Sequence, residues 1–207
     1  MTQFVRRIGI FGGSFDPPHN GHYICARAAA EHLSLEKVFV IPAALQPLKP
    51  SGAMASREVR LQMVEATFGA DPIFEISTLE LDKGGNSYTI DTIRHMKQLY
   101  PVDAASLFLI VGADTLADMP NWKEPDEIFR LATVASMVRT GSTLPMFPPS
   151  WNVQVIQLDT PMIDISSRDI RQRVAAGQII NSLIPREVQE IIKEESLYIM
   201  RESARLA

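Results

Sequence analysis

Two histidines three residues apart, His19 and His22, close the segment GGSFDPPHNGH (12–22), which follows directly on the apolar run IGIF. The chain holds only four histidines, so two of them in one short loop point to a shared task. Gly12 and Gly13 let the backbone approach a ligand closely or take a positive φ, and Pro17 and Pro18 stiffen the loop. If a helix starts here, both imidazoles fall on its first turn and share a face. A helix start adds unpaired N–H groups and partial positive charge. That combination suits an anion, phosphate above all. Two familiar phosphate loops are excluded, because the chain has no G-x-x-x-x-G-K-[ST] and no G-x-G-x-x-G after this first apolar run. Two other readings use the same residues. One imidazole can simply cap or pack, or the pair can bind metal. Structural zinc asks for further Cys or His ligands, and only His32, His95 and Cys25 remain.

A second anion-type helix start lies in DISSRDIRQR (164–173). Ser166 with Asp169 resembles a capping box, with Asp in place of the longer Glu. The hydroxyl of Ser167 and the helix-start N–H groups suit phosphate oxygens, and Arg168 and Arg171 share a face and add fork-shaped pairing. Taken alone, the segment reads equally well as a capped surface helix with solvated arginines. Two such starts on one edge of a sheet would grip a polyphosphate from two sides.

The elements that must position these groups are short apolar runs alternating with helical patterns. RIGIF (7–11), KVFVIP (37–42), IFEIS (73–77), SLFLIV (106–111), TVASMV (133–138) and VQVIQL (153–158) read as strands buried on both faces. Helices are expected over GHYICARAAAEHL, over SREVRLQMVEATF with Ser56 as N-cap and Val59, Met63 and Ala66 as one stripe, and over TIDTIRHMKQLY with Thr89 as N-cap. EPDEIFRLA places Pro125 in a first turn, Gly177 suits a helix stop, and Pro185 suits a new start. Strand and helix alternating in this way predict an α/β fold, a doubly wound parallel sheet, with helices over the C-terminal part, 164–207, of a single domain, 1–207. In such a sheet ligands sit beyond the carboxyl ends of the strands. Loops are expected at 43–55 and 140–150.

The chain has 207 residues, a net charge of -4, 46% hydrophobic and 21% charged residues, an ordinary globular balance without the basic excess of a nucleic-acid-binding surface. A single cysteine, Cys25, excludes an internal disulfide. No apolar run reaches a membrane span, and the apolar stretch near the N-terminus is too short for a signal peptide. A cytoplasmic protein without membrane or nucleic-acid partners is the expectation.

GGSFDPPHNGH resembles the (T/H)xGH-type signature of the nucleotidylyltransferase superfamily, and ISSRDIR its second signature, with Arg168 where Thr is usual. NSYTIDTI (86–93), VGADTLADMPNWKEPDEIF (111–129) and IPREVQEIIKEESLY (184–198) are similar to the bacterial nicotinate-nucleotide adenylyltransferases, in that family's order and over nearly the whole chain. The resemblance implies a Rossmann-like nucleotidylyltransferase fold and a reaction of ATP with nicotinate mononucleotide to give deamido-NAD and pyrophosphate, with Mg²⁺ held mainly by substrate phosphates and no protein metal site. It implies that His19 and His22 contact the ATP phosphates and that Gly12, Ser14 and Phe15 line the nucleotide site by backbone. Ser167, Arg168 and Arg171 would close over the phosphates from the far side, with His19, His22 and Arg171 as the catalytic donors. Gly112 and Asp114 would meet ribose groups. Trp122 would stack on the pyridine ring, and Thr89 and the backbone near Lys123 would receive the nicotinate carboxylate. In QPLKP the family's loop histidine is replaced by Leu48, and Lys49 remains to reach a substrate phosphate. Homo-oligomerisation stays open, as does the choice between nicotinate and nicotinamide nucleotides. A related transferase with another phosphorylated acceptor, or a non-catalytic nucleotide-binding protein, is the alternative.

Overall fold

The computed structural model describes residues 7–48, 52–137, 144–151, 153–161 and 163–199. Six strands, β1 (Ile8–Gly13), β2 (Lys37–Pro42), β3 (Phe74–Ile76), β4 (Leu107–Gly112), β5 (Thr133–Met137) and β6 (Val155–Gln157), form one parallel sheet in the order β3-β2-β1-β4-β5-β6. Every strand expected from sequence is present. The central strand β1 pairs with both neighbours from its first residue, Ile8 standing opposite Lys37 on one side and Leu107 on the other.

Burial on two faces explains the unbroken apolar runs. Leu107, Leu109 and Val111 of β4 point into one cluster, and Phe108 and Ile110 into another. The first cluster is closed by helices α4 (Thr89–Leu99) and α6 (Pro125–Leu131) together with the short α5 (Ala113–Asp118). The second is closed by α1 (Asn20–His32), whose Ala26, Ala29 and Ala30 let it lie close, and by α2 (Arg57–Phe68). Each large apolar side chain buried this way stabilises by about 1.5–3 kcal/mol relative to exposure.

A third cluster lies on the far side of α2. The stripe Val59, Met63 and Ala66 meets α7 (Ser167–Ala175) and α8 (Arg186–Glu194) through Ile170, Ile184, Val188 and Ile192. Gly177 ends α7 at φ +66, and the bonds Gly177 N–H to Val174 O and Gln178 N–H to Arg173 O are those of a Schellman stop. Pro185 precedes α8 as its N-cap.

Some boundaries differ from the expectation. Thr89 is the first residue of α4, and Tyr88, with extended backbone and no side-chain cap, occupies the N-cap. Ser166 accepts from the Asp169 N–H, but the short Asp169 side chain takes the Ser166 hydroxyl instead of reaching back to its N–H, so half of the capping box forms. Helix α5 and α3 (Leu79–Lys83) were not anticipated, each being too short to show a period. Val138 and residues 140–143 of the expected strand and loop lie outside the described residues, as do 49–51.

From β1 the sheet runs toward β2 and β3 on one side and toward β4, β5 and β6 on the other. The loops after β1 and β4 therefore emerge at the reversal, where this architecture opens a crevice.

Candidate active site

His19 and His22 both touch the start of α1, but not in the way two first-turn residues would. His19 is the N-cap, with extended backbone, and His22 is the third helical residue. His19 Nδ1 accepts from the His22 N–H at 3.2 Å, and His22 Nδ1 accepts from the His19 N–H at 3.2 Å. The rings stack with centroids 3.6 Å apart. This is a capping box made of imidazoles. A nitrogen that accepts a backbone N–H carries no proton, so the neutral ring is protonated at Nε2 and donates from its opposite edge. Burial lowers the His19 pKa to about 4, so at neutral pH this ring is a hydrogen-bond donor and not a cation.

The loop before the pair is shaped to hold it. Neither Gly12 nor Gly13 takes a positive φ; Phe15 does, at 48°. Its buried ring meets His22 edge-on at 5.2 Å and lies over Gly13, where a Cβ would come within 3.2 Å of it. Gly21 makes room in the same manner, since a Cβ there would stand 3.0 Å from His19 Nδ1.

Side chains from elsewhere hold the loop's carbonyls. Arg60 of α2 donates to Ser14 O at 2.7 Å, Arg171 of α7 to Asp16 O at 2.6 Å, and the Ser167 hydroxyl to Pro17 O at 2.7 Å. The Ser14 hydroxyl donates to Gln46. The two signature segments, far apart in sequence, thus meet directly. Ser167 and Arg171 brace the histidine loop through its carbonyls, and Arg168 stands exposed in the first turn of α7. Asp16 is buried, its carboxylate accepting from Met54 N–H, Ala55 N–H and the Tyr198 hydroxyl. Burial lowers the Arg60 pKa while the Asp16 carboxylate opposes that shift, and the buried Arg60 Nε has no hydrogen-bond partner among the described residues.

Across the crevice, Gly112 ends β4 and caps α5, and Asp114 lies exposed in that helix's first turn. Gly12, exposed at the end of β1, faces the same opening from the neighbouring strand. Farther along, α4 gathers the remaining residues. Lys123 Nζ bonds Asp91 at 3.1 Å and sits 4.7 Å from the Tyr88 ring centroid, one residue before Thr89. Arg94 forks onto Glu124 at 3.2 and 2.6 Å. Half-buried Trp122 packs against the first core cluster. A cleft of about 210 Å³ between α3 and α4 is lined by Glu80, Lys83, Tyr88, Asp91 and His95 among others. It does not include the histidine pair. Glu80, half-buried there and bonded by Thr92, has its pKa raised by desolvation. Lys49 lies outside the described residues, and Leu48 is half exposed.

Sequence reasoning missed Arg60, Tyr198, Gln46 and the Asp91 clamp. Their signals were weak, an arginine inside an apolar helix stripe and a tyrosine ending a helical tail. The Asp16 carboxylate is spent on loop structure, bonded to two backbone N–H groups and the Tyr198 hydroxyl.

Residues 10–173 match the family model of cytidylyltransferase-like proteins. A Thermus thermophilus protein named "Probable nicotinate-nucleotide adenylyltransferase" is 41% identical over 192 residues, covering 93% of this chain and 99% of its own. One of the same name from Geobacillus thermodenitrificans is 39% identical over 197 residues, covering 95% and 88%. Among solved structures, the nicotinic acid mononucleotide adenylyltransferase of Plasmodium falciparum complexed with NaAD superposes with a TM-score of 0.71 at 18% identity, over 93% of this chain and 97% of that one, a likeness of fold. With paired histidines at the sheet's reversal, a second signature docked on their loop and relatives this similar over almost its whole length, the chain belongs to the nicotinate-nucleotide adenylyltransferase family of cytidylyltransferase-like proteins.

Proposed function

We propose that the protein transfers the adenylyl group of ATP to nicotinate mononucleotide, releasing pyrophosphate and forming deamido-NAD. The observation that carries this reading is the reciprocal histidine cap, held at the sheet's reversal by α7. The mononucleotide phosphate oxygen attacks the α-phosphorus of ATP, and the bond from that phosphorus to the bridging oxygen of pyrophosphate breaks. No protein nucleophile takes part. The Nε2–H groups of His19 and His22 donate to phosphate oxygens as charge builds on them, and the α7 start with Arg168 and Arg171 supports the leaving pyrophosphate. Gly12, Ser14 and Phe15 line the nucleotide site, and Gly112 and Asp114 take the ribose. Thr89, Trp122 and Lys123 receive the nicotinate ring, and Lys49 a substrate phosphate. Preorganised donors of this kind act because they need no rearrangement as the reaction proceeds.

Magnesium is the cofactor this chemistry asks for. Asp16 is spent on three hydrogen bonds, and among the described residues no three His, Cys, Asp or Glu side chains come together. In this reading Mg²⁺ would come with the triphosphate, held mainly by phosphate oxygens and water. Among the described residues no helix is long and apolar enough to cross a membrane.

The test is pyrophosphate release with ATP and either nicotinate or nicotinamide mononucleotide, in the wild type and in His22→Asn. Asparagine can still cap the helix but cannot donate from the imidazole's far edge. Wild type should turn over the nicotinate nucleotide, and the variant should lose about 10²–10³-fold in rate. A variant as active as wild type removes the histidines from the chemistry.

A further inference from the structure

The Asp16 side chain joins three stretches of the chain. Its Oδ2 accepts from Met54 N–H at 2.7 Å, and its Oδ1 from Ala55 N–H at 3.2 Å and from the Tyr198 hydroxyl at 2.7 Å. Tyr198 comes from the turn after α8, 182 residues away. It is 6% exposed, takes a left-handed φ of 61° and packs in the third cluster. Burial and the adjacent carboxylate push its hydroxyl pKa far up, so it stays a donor. Packing alone would be satisfied by phenylalanine. The hydroxyl is aimed at the one acidic side chain of the phosphate loop.

We infer that Tyr198 is a positioning residue for the ATP side of the site, acting through its hydrogen bond to Asp16. The inference rests on the nucleotide reading of that loop. The Asp16 carbonyl accepts from Arg171, the next residue's carbonyl accepts from Ser167, and His19 follows shortly after. Displacing Asp16 therefore disturbs both halves of the phosphate clasp at once. Lys123 and Glu124 bond Asp91 and Arg94 of α4, and Trp122 packs against the first core cluster, contacts that do not involve Asp16. The turn after α8, which makes no contact with nucleotide in this scheme, thus sets the geometry of the loop that does.

Tyr198→Phe removes only the hydroxyl. Steady-state kinetics at a temperature where the variant is fully folded should show kcat/KM for ATP lowered about tenfold, as losing a hydrogen bond to a charged group warrants. KM for nicotinate mononucleotide should stay within about twofold. In an Asp16→Asn background the same change should add little, because the two residues act through one bond. If Asp16→Asn does not fold, the split between the two substrates in Tyr198→Phe decides alone. A Tyr198→Phe enzyme with wild-type ATP constants, or with equal loss for both substrates, overturns the inference while leaving the proposed function standing. A wild type that neither binds ATP in calorimetry nor releases pyrophosphate overturns both.

Discussion

Serine, threonine or aspartate would cap α1 more conventionally than histidine, but none of them can cap with one atom and donate N–H from another. Imidazole does both, which accounts for its presence at the N-cap and again at the third helical position. The same geometry makes the site sensitive to acid. Protonating Nδ1 of His19 would replace an acceptor with a donor facing the His22 N–H, and burial already lowers its pKa to about 4. The unfolded chain takes up that proton near pH 6.5, earlier than the folded one. The stabilisation is therefore complete above pH 6.5 and is lost as pH falls toward 4, amounting to about 3 kcal/mol at most. Urea unfolding at pH 7, 5.5 and 4 should show this slope in the wild type and a shallower one in His19→Asn; parallel slopes would remove His19 as its source. The pair and its place at the start of a helix were legible from residue type and spacing. The reciprocal cap was not, because it depends on side-chain torsions and on Gly21 leaving room for a ring.

Among elements, α7 shows how two adjacent serines divide the work. Ser166 caps the helix through the Asp169 N–H, while Ser167 reaches out to Pro17 O. Ser166→Ala should cost about 1 kcal/mol of stability and leave the ATP constants near wild type. Ser167→Ala should do the reverse, lowering kcat/KM for ATP with a smaller shift in Tm. Thermal melts beside ATP titrations separate the two, and identical profiles would show that the helix start acts as one unit. The strands were readable because a sheet covered on both faces needs continuous apolar runs. The stripe on α2 was readable too, but not its partner: Val59, Met63 and Ala66 face α7 and α8, not the sheet. Arg60, beside that stripe, faces the phosphate loop, and a period of apolar residues says nothing of a buried guanidinium.

At the scale of the whole molecule, the proposed phosphate clasp and the proposed pyridine site rest on different supports. The histidine loop is braced by α2, α7 and the C-terminal turn, whereas the proposed pyridine site hangs on α4 and the segment after α5. Contacts such as that between Asp16 and Tyr198 join chain ends, and no local pattern in the sequence carries them. The two sites meet at the reversal between β1 and β4, where the attacking phosphate must find the α-phosphorus. Separate support predicts separate damage. Trp122 packs against the first core cluster, and its sequence neighbours Lys123 and Glu124 pair with Asp91 and Arg94 of α4; neither pair includes a residue of the histidine loop. These pairs are exposed and worth little each, so the indole itself should carry the binding of a flat cationic ring. Trp122→Ala should raise KM for nicotinate mononucleotide by about tenfold or more, while ATP affinity measured by calorimetry changes by less than about twofold. Equal weakening of both substrates would mean that Trp122 serves the core cluster it borders, and that the two sites are not mechanically independent.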